Sequence, residues 1–179
     1  FKGCCLILVG ARVFSEGLNQ PMYSDTPMNH WFILWREKDV NEFQGLSDFM
    51  MDCIGCNYPN FINDADRGDI VWVHSIVSGT HYLIGKMKLD VLLDREETEK
   101  VIKRDLSTVH YDEYWINQWK WEPLRLVDMG DKFPRKLNFL PLNRLKENYK
   151  TTQTLRVPRI LSPLDHNRLM EFWNSSTHN

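Results

Sequence analysis

Residues Gly55 to Asp90, GCNYPNFINDADRGDIVWVHSIVSGTHYLIGKMKLD, contain the strongest strand pattern in this chain. Ile70 to His74 is a short apolar run rich in β-branched residues, and it follows the turn signal Gly68-Asp69. A second apolar run, Tyr82 to Gly85, begins beyond a polar Ser-Gly-Thr turn. Short runs of this composition favour strands over helices, so the sequence predicts a β-hairpin. Because Gly85 lies inside the second strand, we expect a bulge or a close approach of another segment there.

The segment from Asn57 to Asp66 precedes this hairpin and is rich in Asn, Asp and Pro. That composition is typical of loops, so we expect a loop that packs against the sheet. Loops held by a rigid sheet often carry binding residues, which makes this segment the first candidate for a functional site.

Three elements are predicted earlier in the chain. Cys4 to Val9 predicts a strand within an N-terminal arm of residues 1–27, and this run is far shorter than the roughly 20 apolar residues that span a bilayer. Trp31 to Arg36 predicts a strand whose two faces are both largely apolar. Asn41 is a good helix cap, and apolar residues follow it at intervals of three and four, so we expect a helix that ends near Asp52.

Two helices are predicted after the hairpin, one from Asp94 to Leu106 and one that begins at Ser162. The first helix has acidic residues at its start and basic residues at its end, as the helix dipole favours. The last helix combines a Ser N-cap, a Pro in the first position and Asp165 three residues after the cap, which together are a strong start signal.

Length and charge limit the class of protein. A chain of 179 residues can form one domain with its own core and needs no cofactor for stability. Its formal net charge of −2 argues against a uniformly basic nucleic-acid binder. The charge is unevenly distributed, because the basic segment, Lys132 to Arg168, contains nine Lys and Arg and only two acidic residues. We therefore expect one strongly positive surface.

The four cysteines do not form the pattern of a secreted disulfide framework. Cys53 and Cys56 have CxxC spacing, which a zinc half-site or a redox motif would also have. The other pair, Cys4 and Cys5, is adjacent and therefore a poor second half-site for tetrahedral zinc. We expect these residues to be small apolar side chains in the core.

Catalysis is not supported by any motif. The sequence contains no GxSxG, GxxxxGK[ST], HExxH or GxGxxG pattern. His74 and Ser75 are neighbours, but adjacent strand residues point to opposite faces of a sheet, so they cannot form a base and nucleophile pair. His74, His81 and His110 could gather around a metal in the folded chain, but histidines outside a metal motif are more often core or surface residues. We therefore expect a protein that is neither an enzyme nor dependent on a metal or cofactor.

Several motifs occur in the order found in a known family. They are Gly55, Asn57-Tyr58, Phe61, Gly68-Asp69 and His74-Ser75, which match a Gly-x-Arg-Asn-Tyr loop, a Gly-Asp turn and a strand that ends in Tyr-His-Ser. The strand at Trp31 and the elements after Phe139 follow the same order. The chain thus resembles the EVE domain of the PUA-like superfamily from about Trp31 to Trp173, with a shorter loop, Cys56 in place of the family's Arg and Val73 in place of the Tyr before His-Ser. The resemblance implies a strand from Leu124 to Val127, a helix from Phe139 to Tyr149 and a strand from Gln153 to Pro158.

This resemblance implies an α+β protein with a PUA-like fold, a small, strongly bent mixed β-barrel with helices packed around it, in residues 28–179. It also implies a groove beside the Asn-Tyr loop that receives a nucleobase, commonly a modified one. A base removed from its stack regains roughly 1–3 kcal/mol from each aromatic face that it stacks on, and the chain has seven Trp. The candidate ligand-binding residues are Trp35, Asn57, Tyr58, Trp72, His74, Ser75, Trp115 and Trp119.

Two functional hypotheses remain open at this stage. The first is an intracellular module, alone or within a larger protein, that binds DNA or RNA carrying a modified base and has no membrane partner. In this hypothesis the basic residues expected to contact phosphates are Lys132, Arg135, Lys136, Arg156 and Arg159. The second is a protein-interaction or small-ligand module on the same fold, which the mildly acidic total charge favours. Salt distinguishes them, because phosphate contacts release counterions and weaken steeply as salt rises.

Overall fold

A computed structural model of the protein describes residues 5–10, 28–38, 40, 50–56, 58–107, 111–117, 122–130, 137–140 and 157–176. Within these ranges the chain is an α+β protein with two β-sheets. The antiparallel sheet contains β1 (Cys5–Gly10), β3 (Met50–Cys56), β6 (Val91–Asp94), β7 (Glu113–Ile116) and β8 (Glu122–Pro123). The mixed sheet contains β2 (His30–Trp35), β4 (Ile70–Val77), β5 (Thr80–Lys88), β9 (Val127–Asp128) and β10 (Arg159–Ile160). The helices are α1 (Pro59–Asp64), α2 (Arg95–Ile102) and α3 (Pro163–Ser175).

The two sheets differ in topology. The strand order of the antiparallel sheet is β1-β3-β7-β6, and β8 also pairs with β3. The mixed sheet has the order β10-β2-β4-β5-β9, in which β2 and β4 run parallel and the other pairs are antiparallel. Strand β2 is therefore central and buried on both faces, as its continuous apolar sequence predicts.

The mixed sheet lies at the centre of the molecule because each of its faces packs on a different layer. Its inner face, represented by Trp31 and Val73, packs in one cluster with Ile54 of the antiparallel sheet. Its outer face, represented by Trp72, packs in another cluster with Trp173 of α3. Each pair of adjacent strand residues thus contributes one side chain to each face.

The predicted hairpin is confirmed as β4 and β5, which are joined by the turn at Ser78 and Gly79. The predicted bulge is also confirmed, because the pairing shifts where Val73 faces Gly85 and the next residue, His74, faces Leu83. A Cβ atom at Gly85 would lie 3.0 Å from Leu124 Cδ2 and 3.3 Å from Met51 Sδ, so a larger residue would crowd the gap between the sheets. The predicted close approach is therefore present at Gly85, and a side chain there would displace the ends of Leu124 and Met51.

The Gly68-Asp69 turn lies directly before β4 and is hydrogen-bonded to the start of β2. Gly68 has a φ of 101°, which side chains disfavour, and Asp69 is buried. The Asp69 carboxylate accepts hydrogen bonds from the Asn29 backbone N–H at 2.8 Å, from Trp31 Nε1 at 2.9 Å and from the Asp66 backbone N–H at 3.1 Å. The turn signal therefore has a structural role.

Both helices predicted to begin at Asp94 and Ser162 are confirmed at their starts, but the first ends at Ile102 and not at Leu106 as predicted. Asp94 caps α2 by accepting from the Glu97 backbone N–H at 2.8 Å. Ser162 caps α3, with Pro163 in the first turn, and its side chain accepts from the Asp165 N–H. The helix then buries Leu169 and Trp173 against the mixed sheet.

The predicted closed barrel is not found among the described strands, in which neither sheet closes on itself. Strand β5 ends at Lys88, and the chain turns through Leu89 and Asp90 into β6, which pairs with β7 of the other sheet. At this corner the Leu89 N–H donates to the Asp69 carbonyl at 2.8 Å and the Asp90 N–H donates to the Ile116 carbonyl at 3.0 Å, so the chain passes directly from one sheet to the other. The observed architecture is therefore two packed sheets with helices.

Two predictions upstream of the hairpin are wrong in part. The predicted helix of residues 41–52 ends in strand β3 at Met50 to Asp52, because backbone pairing with β1 and β8 overrides the helical spacing of its apolar residues. The predicted loop of residues 57–66 contains α1, which begins at Pro59 and buries Phe61. Residues 41–49 and 57 lie outside the described ranges.

Predictions in the last third are also corrected in part. Only Val127 of the predicted strand of residues 124–127 belongs to one, because the Arg125 N–H instead satisfies the Ile84 carbonyl at 2.9 Å next to the bulge. Residues 153–156 of the strand predicted for 153–158 lie outside the described residues, Val157 and Pro158 are not in a strand, and β10 begins directly after them at Arg159. The predicted helix of residues 139–149 falls mostly outside the described residues, and Phe139 forms a bridge to Leu161 instead.

Candidate functional site

The structure divides the candidate residues between the two faces of the mixed sheet. On the inner side lie Trp35, Tyr58, Ser75 and Trp115, and on the outer side lie Trp72, His74 and Arg159. The candidates outside the described residues are Asn57, Trp119, Lys132, Arg135, Lys136 and Arg156. A single pocket that contains all the predicted ligand-binding residues is therefore not possible without crossing the sheet.

The inner aromatic group consists of Trp35, Tyr58 and Trp115. All three belong to one apolar cluster between the sheets, in which Trp35 and Trp115 are buried and Tyr58 is partly exposed. Tyr58 precedes α1, and its carbonyl accepts from the Phe61 N–H at 3.0 Å, which holds the residue at the rim of the cluster. Of the three aromatic side chains, that of Tyr58 is therefore the one that solvent reaches most.

Trp115 has a polar atom that the fold leaves unsatisfied. Its indole Nε1 is buried, and no described residue accepts its hydrogen. Trp31 in the same cluster provides the contrast, since its Nε1 donates to Asp69 at 2.9 Å. Buried N–H groups are nearly always paired, and an unpaired one costs about 1–3 kcal/mol. The Trp115 N–H is therefore a donor that a ligand could use.

Ser75 does not offer its hydroxyl to a ligand in this structure. The residue is fully buried, and its Oγ donates to the Trp35 carbonyl at 2.9 Å. The bond joins two parallel strands, β2 and β4, at the position where Trp35 and Ser75 are partners in register. We therefore correct the prediction that Ser75 contacts the ligand and assign it to the fold.

Trp72 is also used by the fold. Its Nε1 donates to His30 Nδ1 at 3.0 Å, and its ring makes an edge contact with Trp173 at a centroid distance of 6.3 Å. The ammonium group of Lys86 lies 5.7 Å from the ring centroid. Since the protein's own side chains occupy the indole, the prediction that Trp72 stacks on a base is corrected to a core role.

His74 is buried on the outer face without a hydrogen-bond partner among the described residues. Its ring stacks on Phe32 with centroids 4.0 Å apart and planes at 10°. Both of its nitrogens are buried, and neither is paired with any described residue. Burial, with the nearby His81 as a second cause, lowers the pKa of His74 to about 3. The imidazole is therefore neutral at physiological pH.

Arg159 lies across the strand pair from Phe32 and is 2% exposed. Its guanidinium carbon is 5.3 Å from the Phe139 ring centroid, and its Nε is buried and has no partner among the described residues. Burial alone lowers the pKa of Arg159. No acidic residue among those described forms an ion pair with it, which is unusual for a buried charge.

A second buried polar group was missed by sequence reasoning. Asp52 Oδ1 accepts from Arg104 Nη2 at 2.9 Å, and the Cys53 Sγ lies 3.8 Å from the same nitrogen. Burial raises the pKa of Asp52, and burial together with Asp52 raises the pKa of the Cys53 thiol. No sequence signal connects Arg104 to these residues, because they come together only in the fold. Cys53 is a buried thiol beside an ion pair, and the side chain of Cys56 lies outside the description.

The described part of the chain contains no cluster of metal ligands and no helix that could span a membrane. There, no three His, Cys, Asp or Glu side chains gather as metal ligands would, and His110 falls outside the described residues. None of the described helices has the length and apolarity needed to cross a bilayer.

Comparison with known proteins gives no family assignment. No protein-family model matches the chain, and a search of curated proteins found no significant match.

Proposed function

We propose that the protein is a non-catalytic module that binds nucleic acid and holds a modified base at the inner aromatic group, on a fold related to the PUA-like EVE domains. The observation that carries this proposal is the buried Trp115 N–H, unpaired among the described residues, within the cluster that contains Trp35 and the partly exposed Tyr58. A nucleobase has aromatic faces and hydrogen-bond acceptors on its edge, so it complements such a group.

The energetics of base binding fit these residues. Extruding a base from a stack costs a few kcal/mol, and each aromatic contact returns roughly 1–3 kcal/mol. A hydrogen bond to the Trp115 N–H would add discrimination, because a buried donor that stays unpaired is penalised. Asn57, next to Tyr58, would read the base edge through its amide, and Trp119 would supply a further aromatic face.

The outer side of the mixed sheet supplies positive charge for a phosphate backbone. Lys86 and Arg125 lie over the rings of Trp72 and Trp173, and Arg159 begins β10. In the proposal, the basic segment with Lys132, Arg135, Lys136 and Arg156 extends this charge. These cations would position the strand and the inner group would specify the base.

The test compares two tryptophan variants that differ only in whether the removed N–H is paired within the described structure. Trp115→Phe keeps an aromatic ring and removes the unpaired donor, whereas Trp31→Phe removes a donor that Asp69 already accepts. Affinity is measured on oligonucleotides with and without 5-methylcytosine, 5-hydroxymethylcytosine and N6-methyladenine. We expect Trp115→Phe to weaken binding of the preferred oligonucleotide by about 3–10-fold with no loss of stability.

We expect Trp31→Phe to lower stability by about 1 kcal/mol and to leave the base preference unchanged. The proposal fails if the parent protein binds none of the oligonucleotides at low salt, or if Trp115→Phe binds them as tightly as the parent. Binding that does not weaken as salt rises would favour the alternative of a small-ligand or protein-interaction module.

A further inference from the structure

Arg159 and His74 lie on the same face of the mixed sheet, on either side of Phe32. Arg159 is on β10 and His74 is on β4, and these two strands lie on either side of β2, which carries Phe32. Arg159 is the cross-strand partner of Phe32, and the His74 ring stacks on the Phe32 ring. Phe139 completes the surroundings, with its ring 5.9 Å from that of Phe32 and 5.3 Å from the Arg159 guanidinium.

The unusual feature of this group is charge that the described residues do not balance. Arg104 and Arg168 are each paired with a buried aspartate, at 2.9 Å and 3.1 Å respectively. Arg159 is more buried than either, yet it has no carboxylate partner among the described residues, where its Nε is also unpaired. A buried cation without a counter-charge is destabilising, because desolvation is not offset by an attraction.

His74 adds polar atoms to the same face. Both of its ring nitrogens are buried and unpaired in the described structure, and a neutral imidazole offers one donor and one acceptor. A hydrocarbon ring stacked on Phe32 would avoid this penalty. The two side chains together therefore resemble a site that is complete only when an anion is present.

We propose that Arg159 and His74 form a binding site for a phosphate group on the outer face of the mixed sheet. The guanidinium supplies the charge and a planar set of donors that matches phosphate oxygens, and the imidazole supplies one further donor. The site is separated by the sheet from the inner aromatic group, so it does not depend on base recognition. Free phosphate and the phosphate of a nucleic-acid backbone share this chemistry.

The first experiment measures the melting temperature of the parent protein as inorganic phosphate is added at constant ionic strength, with chloride as the balancing anion. We expect a rise that continues with the logarithm of the phosphate concentration and reaches roughly 5–10 °C at a concentration about a hundredfold above its Kd. Arg159→Met keeps similar bulk and removes the charge. This variant should melt at a higher temperature than the parent without phosphate and should show no rise with it.

Arg168→Met is the matched control, because Arg168 is on the neighbouring helix and is paired with Asp165. It should keep the full phosphate response. His74→Phe preserves the stack on Phe32, so it should raise the melting temperature without phosphate and reduce the response. Arg159→Lys is a second variant, which should keep the charge but bind phosphate at least about tenfold more weakly, because the planar fork of donors is gone.

An arm with an unmodified oligonucleotide identifies the source of the phosphate. Competition between the oligonucleotide and inorganic phosphate that disappears in Arg159→Met assigns the site to the nucleic-acid backbone, and the absence of competition assigns it to a free phosphate. The proposal is overturned if phosphate does not stabilise the parent, if Arg159→Met responds like the parent, or if it lowers the melting temperature. A phosphate response without any base preference would leave this site standing and remove the proposed function.

Discussion

The two faces of the mixed sheet satisfy their buried polar atoms differently. On the inner face, Ser75 donates to the Trp35 carbonyl and Trp31 donates to Asp69, while the N–H of Trp115, which packs against this face from the antiparallel sheet, has no partner among the described residues. On the outer face of the described structure, the unpaired groups include the His74 imidazole and the charged Arg159. The unpaired group on the inner side is a neutral N–H donor, whereas the unpaired groups on the outer side include a cation. The difference indicates two kinds of ligand group, an uncharged acceptor such as a base edge inside and an anion outside.

The largest loss of stability is expected at Trp72, a residue of the outer face whose polar atom is paired. Trp72 is fully buried, its N–H is paired with His30, and its ring contacts Trp173. Trp72→Ala should lower the free energy of unfolding by about 3–5 kcal/mol, as for other large buried aromatics. Chemical denaturation measures this loss. If the variant is as stable as the parent but no longer binds nucleic acid, Trp72 belongs to a ligand site and our assignment to the core is wrong.

The next effect concerns pH and the outer face. Burial, with His81, lowers the folded-state pKa of His74 to about 3, and burial, with His166 and Lys86, lowers that of His30 to about 4, whereas both should titrate near 6.5 when unfolded. The unfolded chain therefore binds more protons between these values, so stability is highest above pH 6.5 and falls as the pH drops. For each histidine the loss at pH 5 is roughly 2 kcal/mol.

The variant His74→Phe isolates one of these contributions. Urea denaturation at several pH values should show a smaller loss of stability between about pH 7.5 and 5 in the variant than in the parent. Equal losses in the two proteins would mean that His74 is accessible to protons in the folded state, and the contrast between the faces would then weaken.

A smaller effect on folding, but a clear effect on binding, is expected for the rim of the inner face. Tyr58 is only partly buried, so Tyr58→Ala should cost less stability than Trp72→Ala. Removal of a stacking face should weaken oligonucleotide binding by roughly 1–3 kcal/mol. Melting temperature and affinity are measured on the same preparations. A large fall in melting temperature with unchanged affinity of the folded protein would show that Tyr58 is a core residue.

The smallest effect is expected from the basic segment. Arg135→Glu combined with Lys136→Glu should reduce the slope of log affinity against log salt by about 0.7–0.9 for each phosphate that is no longer neutralised, without changing the preference among modified bases. The comparison is a salt titration of parent and variant on the same oligonucleotide. Unchanged affinity at low salt would show that these cations do not contact the backbone.

Much of the local structure followed from the sequence. The hairpin, the bulge at Gly85, the Gly68-Asp69 turn and the capped helix at Ser162 were all predicted, because strand composition, glycine and capping residues act over a few neighbouring positions. The strand at Cys5–Gly10 and the two-sided burial of β2 were predicted on the same basis. Site prediction was less complete, because it named the individual side chains but could not assign them to a face.

Only the tertiary structure decided how these pieces are arranged. Met50 to Asp52 became a strand because partners on both sides of β3 satisfy its backbone, and a local helical pattern cannot reveal distant partners. The fold also explains why residue 55 is glycine, since a Cβ there would lie 2.5 Å from Tyr111 Cδ2 and 2.7 Å from Tyr114 Cε1.

The division of the candidate site has the same origin. His74 and Ser75 are adjacent in sequence, and alternation along a strand predicts that they face opposite ways, but the sequence does not say what covers each face. In the folded protein the Ser75 hydroxyl donates to the Trp35 carbonyl, while the His74 ring stacks on Phe32, whose cross-strand partner is Arg159. The sequence therefore could not predict that Phe32 and Phe139 lie beside His74 and Arg159, because both have the pattern of ordinary core residues. Charge balance around a buried arginine depends on which side chains lie within a few ångströms, and chain order alone does not contain that information.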